Sequence, residues 1–446
     1  MDLGSQIGER DQWGEPVPEL VPKRSSFLRN SVRIGIVAAC LGFAAIGYWQ
    51  LKQSATAGLP EACREALRAK DWERLDRLAS QWSWWRPDEA TPLVHLAESA
   101  FQRGAFERAS YLLDQLPDTD PITPTALVEQ SAILFGPLNQ PIRAGEVLER
   151  AVRLDPKNVE ARRRLISFYA FTLQREKMAA HIRQAIRHDA DVPETYVYLV
   201  ARDWLSFSDA YTVTTKWSLD HPDEELFLVP RAIFRVLSRG LDYSEDPVED
   251  PATEKGIPYH QQIIGEYFKR FPQNLELLVY HLEMSTTKGD VEGTVSLLSR
   301  APKAAAADGR FWRYKGWVHV ARGEFQEAKA AFEKAMEINP YDYRSQHQMA
   351  SVERSLGNLE QVKIYEDRSQ QGTSLRKDIL VMESVENVPP GILKRIARYA
   401  ECCGDNEAAG RLLVRLKEWA PECLDPRTDR PADGKTKSPA APGNTK

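Results

Sequence analysis

The chain has 446 residues, of which 42% are hydrophobic and 28% charged, and a formal net charge of -5. That length is more than one ordinary core organises; it allows about two to four domains, or an array whose units bury surface only against their neighbours. The slightly acidic balance speaks against a general nucleic-acid binder, which carries a basic excess, and five cysteines without a Cys-x-x-Cys pair speak against a zinc site.

Residues 1–30 hold Pro16, Pro18 and Pro22 among scattered charges, which predicts a disordered tail. A transmembrane helix is expected over 31–51. Within it, Ile34 to Leu51 runs without a charge, and such a helix would cover roughly 27 Å, close to the hydrocarbon thickness of a bilayer. Tyr48 and Trp49 close the run, where amphipathic rings favour the headgroup level. Lys23, Arg24, Arg29 and Arg33 precede it with no acid among them, whereas the flank after Lys52 is mixed. The positive-inside bias therefore puts the N-terminus in the cytoplasm and the body outside. The alternative is secretion after signal cleavage near Ala57, since Ala55-Thr56-Ala57 offers a small-residue site; the long N-terminal extension argues for the retained anchor. Gly35 with Ala39, and Ala38 with Gly42, have small-xxx-small spacing that could pair helices.

Just beyond, Trp72, Trp82, Trp84 and Trp85 cluster. Packing of a first, poorly capped helix pair explains them; an aromatic patch for membrane or partner is the alternative. From residue 59 to 421 a periodic pattern dominates. Gly289, Gly323 and Gly357 are spaced by 34 residues, each between two helix-patterned segments. In the clearest unit, Gly309 to Asp342, Trp312 and Gly316 lie on a first helix, Gly323 in a turn, and Ala328, Phe332 and Ala335 on one face of a second helix that Pro340 stops. Close antiparallel helices need small residues at their crossing, here Gly316 and Ala328, and the turn glycine permits positive φ at low cost. Weaker copies share the frame near 59–81, 93–116, 125–158, from Val159, 275–302, after Pro340 (where Glu366 takes the place of an aromatic) and 390–421. The stretch 193–272 is irregular and carries the acidic, proline-rich segment from Tyr243 to Gly256. Residues 422–446 read as a second disordered tail.

At these residues the chain resembles the tetratricopeptide repeat family, departing at Lys315 and His319, where the family has leucine and tyrosine. The resemblance implies an all-α, right-handed superhelical solenoid of antiparallel helix pairs, here preceded by one transmembrane helix. It also implies that five positions of each first helix line a concave groove. Those positions select Arg310, Arg313, Trp317, Arg344, His347, Arg354, Lys394 and Arg398 as a basic peptide-binding groove with one aromatic. Such a groove would seat a protein or peptide partner through an acidic segment, and charge reversal at Arg313 and Arg344 is expected to abolish capture. The family's peptide-clamp asparagines have no counterparts at the matching positions.

Catalysis would need a recognisable constellation, and none is present. There is no HExxH, no phosphate loop and no GxSxG elbow; Ser285-Thr286-Thr287-Lys288 matches SxxK by chance inside a repeat. His181 and His188 read as solvated histidines, and the acids Glu245, Asp246, Glu249 and Asp250 as a solvated loop, calcium being the alternative. Cys402, Cys403 and Cys423 read as packed thiols, with pairing of Cys423 the alternative in an oxidising compartment. The expectation is thus a membrane-tethered scaffold that is not an enzyme, with no cofactor, no metal and no nucleic acid. Two alternatives stand beside it. One is an accessory or assembly factor recruited through its transmembrane helix. The other is an enzyme with a polar site in the irregular middle region.

Overall fold

The computed structural model describes residues 25–204, 209–239, 259–382 and 384–421; within the first helix, side chains are described from residue 39 onward. Both predicted tails beyond these limits, the acidic segment around 243–256 and Cys423 lie outside the described residues. All regular structure among the described residues is helical. The chain divides into two compact units, Met1–Pro87 and Asp88–Lys446.

The first unit holds α1 (Ser25–Thr56), α2 (Leu59–Arg68) and α3 (Trp72–Trp85). The predicted first repeat is the pair α2–α3, which therefore groups with α1. Leu59, Cys63 and Ala66 are the buried residues of α2, and Leu75, Ala79 and Trp82 those of α3. Among the described residues no helix is long and apolar enough to cross a membrane; the apolar run begins at residue 34, before the described side chains.

The second unit is a succession of helix pairs: α4 (Ala90–Gln102) with α5 (Phe106–Asp114), α6 (Thr123–Phe135) with α7 (Pro141–Leu154), and α8 (Val159–Phe171) with α9 (Arg175–Arg187). Then come α10 (Pro193–Ala201), α11 (Ala210–Asp220) with α12 (Glu225–Arg239), α13 (Tyr259–Arg270), and α14 (Leu275–Thr287) with α15 (Val291–Ser299). The last pairs are α16 (Gly309–Ala321) with α17 (Phe325–Ile338), α18 (Tyr343–Ser355) with α19 (Leu359–Leu380), and α20 (Pro390–Cys402) with α21 (Asn406–Trp419). Every predicted repeat in this unit lands on one of these pairs.

The turns show why. Gly104, Gly289, Gly323, Gly357 and Gly404 all have φ between 72° and 84°. At Gly323 the chain reverses with its own amide donating to Val320 O (3.0 Å) and the next, Glu324 N, to His319 O (2.9 Å), the hydrogen-bond closure of a left-handed helix C-cap. Lys70, Asn139 and Leu173 hold the same left-handed conformation in the turns of α2–α3, α6–α7 and α8–α9 without glycine. At Gly316 the reason is contact: a Cβ there would lie 2.6 Å from the Phe332 ring of α17. Each pair leaves an apolar face that the next pair covers. Ala328 and Phe332 of α17 share a buried cluster with Met349 and Val352 of α18. Leu278 and Leu282 of α14 do the same with Phe311 and Tyr314 of α16.

The irregular stretch breaks this rule. Helix α10 has no sequence partner, and every residue from Glu194 to Ala201 is buried. It belongs to one apolar cluster with Leu165 and Ile182 before it and with Leu393, Ile396, Leu412 and Leu416 of the last pair. The C-terminal pair thus folds back onto α9 and α10, closing the array within this unit, where neighbour-only contacts were expected. Charged ties ring the contact: Arg187 to Glu407 at 2.9 Å, Arg183 to Asp405 at 2.5 Å, and Arg411 and Arg415 both to Asp191 at 3.1 Å. Tyr196 also donates to Asp191 (2.8 Å), whose side chain is fully buried. Trp217 of α11 anchors the inserted pair, its ring 5.7 Å from Phe135, 5.8 Å from Phe168 and 5.7 Å from Phe227.

Candidate functional site

Residues on the first helices of the later pairs line two different environments. The deeper one is a cavity of about 620 Å³ lined by α9, α12, α14 and the start of α16. Glu276 sits at its base between two guanidinium groups, with Arg175 Nε at 2.9 Å and Arg310 Nη2 at 2.6 Å. Arg310, 3% exposed, is also chelated by Asp308, the residue that caps α16. Burial works to raise the Glu276 carboxyl, but the charges and hydrogen bonds of Arg175 and Arg310 outweigh it and hold it down at about 2. Beside them Asn339 donates to Asp203 (2.7 Å), and Arg202 lies 3.4 Å from the same carboxylate. Glu276, Asp308 and Asp203 each face an arginine, and among the described residues no histidine lines the cavity. Among the described residues no group of His, Cys, Asp and Glu has a metal-holding arrangement.

The shallower environment is a chain of three adjoining cavities along α14, α16, α18, α19 and α20. The first, about 430 Å³, is lined by Trp317, Arg344 and His347 together with Glu283, Gln348 and Thr373. His347, Ser369 and Thr373 pass into the second, also about 430 Å³, and Gln370 and Ser374 lead from there into the third, about 590 Å³, which Arg398 lines. Trp317 is half-buried, while Arg344, His347 and Arg398 are exposed. The floor is fixed by charge. Arg313, 8% exposed, donates to Asp342 (2.8 Å), which also accepts from Ser345 (2.6 Å). Glu283 accepts from Arg344 (2.8 Å) and from Tyr314 (2.7 Å). Burial would raise the Glu283 carboxyl, yet Arg344 and the Tyr314 hydroxyl keep it below its ordinary range.

Of the eight groove residues expected from the sequence, Arg313, Trp317, Arg344, His347 and Arg398 line this chain of cavities. Arg310 belongs to the deeper cavity. Arg354 pairs with Glu366, the residue standing in the aromatic position, and Lys394 lines neither environment. Arg310 and Arg313 are tied inside the array, so they hold repeats together: Glu276 belongs to the preceding pair and Asp342 opens the following one. Reversing Arg313 would disturb folding before it tested binding. Sequence reasoning missed the contribution of α19, whose Ser369, Gln370, Thr373 and Ser374 form the polar wall. Their signal was available: α19 runs unbroken for 22 residues, and its central RSQQGTS has no apolar residue.

Other singled-out residues have structural partners. His181 is part of a tie between α7, α8 and α9: it stacks on Tyr169 (5.3 Å between rings) and lies 3.0 Å from Glu149, which also accepts from Tyr169 (2.6 Å). The His181 hydrogen bond is the main reason the Glu149 carboxyl falls to about 2. Ser285 of the SxxK match donates to Asp290 O in its own turn (3.0 Å). Cys402 and Cys403 are free thiols, and burial pushes Cys403 up to about 12.

Stacked antiparallel pairs with a shared turn and a lined inner face define a helical-repeat protein. The family model of the tetratricopeptide repeat matches residues 309–342, so that segment, α16–α17 with its stop, is a tetratricopeptide repeat. No curated protein matches the chain. Solved structures with similar helical arrangements include Cut9–Hcn1 of the APC/C (13% identity, 83% of this chain and 80% of that one, TM-score 0.30). Another is a tetratricopeptide repeat protein from Parabacteroides merdae (11%, 67% and 99%, 0.25). A third is the human IFIT1 dimer with m7Gppp-AAAA (14%, 83% and 79%, 0.29).

Proposed function

We propose that this protein is a membrane-tethered scaffold that holds an extended segment of a partner protein along the cavities beside α16, α18 and α19. One observation carries the reading. Three adjoining cavities present a half-buried indole, an exposed guanidinium and imidazole, and a wall of hydroxyl and amide side chains. That set suits main-chain hydrogen bonding around one aromatic anchor. The partner segment carries an acidic side chain or chain terminus that competes with Glu283 for Arg344. The chain is a holder rather than a catalyst: at the base of the deeper cavity Glu276 and Asp308 are taken up by Arg175 and Arg310. Its apolar run around α1 serves as a retained anchor, with the basic flank before it in the cytoplasm and the repeats on the far side; exposed Leu41, Phe43 and Ile46 support this, being 65%, 76% and 55% accessible.

The test is capture by the full chain from detergent-solubilised membranes. Trp317→Ala and Arg344→Glu should each reduce recovery of the same partner about tenfold or more, the scale of an interface hot spot. Lys334→Glu, on the outer helix α17 where Lys334 pairs with Glu337 of its own helix, should leave recovery unchanged. Equal capture by all four chains would end the groove reading.

A further inference from the structure

We infer that the C-terminal end of α3 is a lipid-contact surface that lies in the headgroup layer of the bilayer; this rests on reading α1 as a membrane anchor. The clustered tryptophans divide into two kinds. Trp82 is buried at 7% exposure, whereas Trp84 is 73% exposed. An indole left that open costs hydrophobic free energy in water, and large exposed rings mark contact surfaces. Trp84 stands edge-on against Trp85 at 4.6 Å between centroids, and Trp85 reaches Tyr48 of α1 at 6.5 Å. Tyr48 and Trp49, 60% and 59% exposed, are the rings that close the uncharged run of α1. Arg86 fixes the junction by donating to Gln53 Oε1 (2.8 Å) and reaching Thr56 Oγ1 (3.5 Å) on α1.

Two elements distant in sequence therefore bring their aromatic rings to one place, the point along α1 where its apolar run stops. Aromatic rings with a polar edge prefer that depth in a bilayer. Lys52 and Arg86 flank the same point, and their charges complement anionic headgroups. Continuity with the apolar helix selects lipid as the occupant over a protein partner. The consequence is that α3 rests against the membrane surface, giving the anchor a fixed orientation instead of a free tether.

The experiment uses the full chain reconstituted in phosphatidylcholine–phosphatidylglycerol vesicles. Subtracting the emission of Trp84→Phe from that of the unsubstituted chain isolates the Trp84 indole. Lipids brominated near the headgroup should quench most of this difference emission, and aqueous iodide little of it. Retention of the chain through an alkaline carbonate wash reports on the anchor separately. A retained chain whose Trp84 emission is quenched by iodide and not by bromolipid overturns the surface contact and leaves the anchor standing. A retained chain in which neither agent quenches Trp84 places the ring under protein and also overturns it. Release of the chain by carbonate overturns both readings.

Discussion

The repeat at α16–α17 and the closure of α20–α21 onto α9–α10 are built by different rules. In the first, the interactions that define the repeat are local: Gly316 against Phe332, Gly323 in its turn, and a face covered by the next pair. In the second, residues about 220 positions apart meet through a shared core and through Asp191. The local rule repeats, so it leaves a period in the sequence; the closing contact occurs once and leaves none. Non-neighbour contacts also change the energetics, because a linear array frays from its ends whereas a closed one must break a tertiary seam first.

Asp191 tests that difference most severely. It is fully buried and receives Arg411, Arg415 and Tyr196. Removing one partner of a buried ionic group leaves the others uncompensated, at a cost of about 3–5 kcal/mol. Asp191→Ala should lower the denaturation midpoint and speed hydrogen exchange in α20 and α21 well before α16 and α17. Uniform exchange at the original rate would show that the closure carries no stability.

The second test concerns the ties between neighbouring pairs. Glu276 is ionised in the fold down to about 2, against an ordinary value of 4.5. A carboxyl depressed in this way contributes stability that is fully present above the unfolded value. That contribution is lost as pH falls towards the folded one, since the unfolded chain then binds the extra proton. Glu149 is depressed to about 2 by His181 and adds to the same acid limb. Glu276→Gln keeps the shape but turns one of the two oxygens that accept from Arg175 and Arg310 into a donor facing their N–H groups, so the expected loss at neutral pH is about 2–3 kcal/mol. Its unfolding free energy should fall less steeply between about pH 4.5 and pH 2 than that of the unsubstituted chain. Parallel acid limbs would mean that Glu276 titrates normally.

The same contrast explains what could be read in advance. Pairs with a turn glycine or a small–aromatic–small stripe stood out, because packing geometry demands those residues at fixed spacing. The closure had only an oblique signal: Thr195 to Ala201, TYVYLVA, offers no polar face, and a helix apolar all round needs cover on every side. In the groove, the cavity-lining positions of Trp317, Arg344 and His347 were legible through the family resemblance. That Arg310 and Arg313 would be consumed internally was not, since Glu276 and Asp342 carry no mark separating a structural acid from a surface one. The wall from α19 went unread because the attention of the pattern falls on first helices.

The smallest expected effect comes from the turns and returns to the local rule. Lys70 occupies the place that glycine holds in five other turns, with φ at 54° and its side chain exposed. Its amide donates to Leu67 O (3.1 Å) and that of Asp71 to Ala66 O (2.9 Å), the bonding seen around Gly323. The left-handed conformation costs an L-residue roughly 1–2 kcal/mol, while glycine in the unfolded chain has more freedom to lose. Lys70→Gly should therefore stabilise the α2–α3 pair by about 0.5 kcal/mol, read as slower hydrogen exchange of its amides in the full chain. Faster exchange would mean that the lysine side chain contributes more to this turn than its backbone costs.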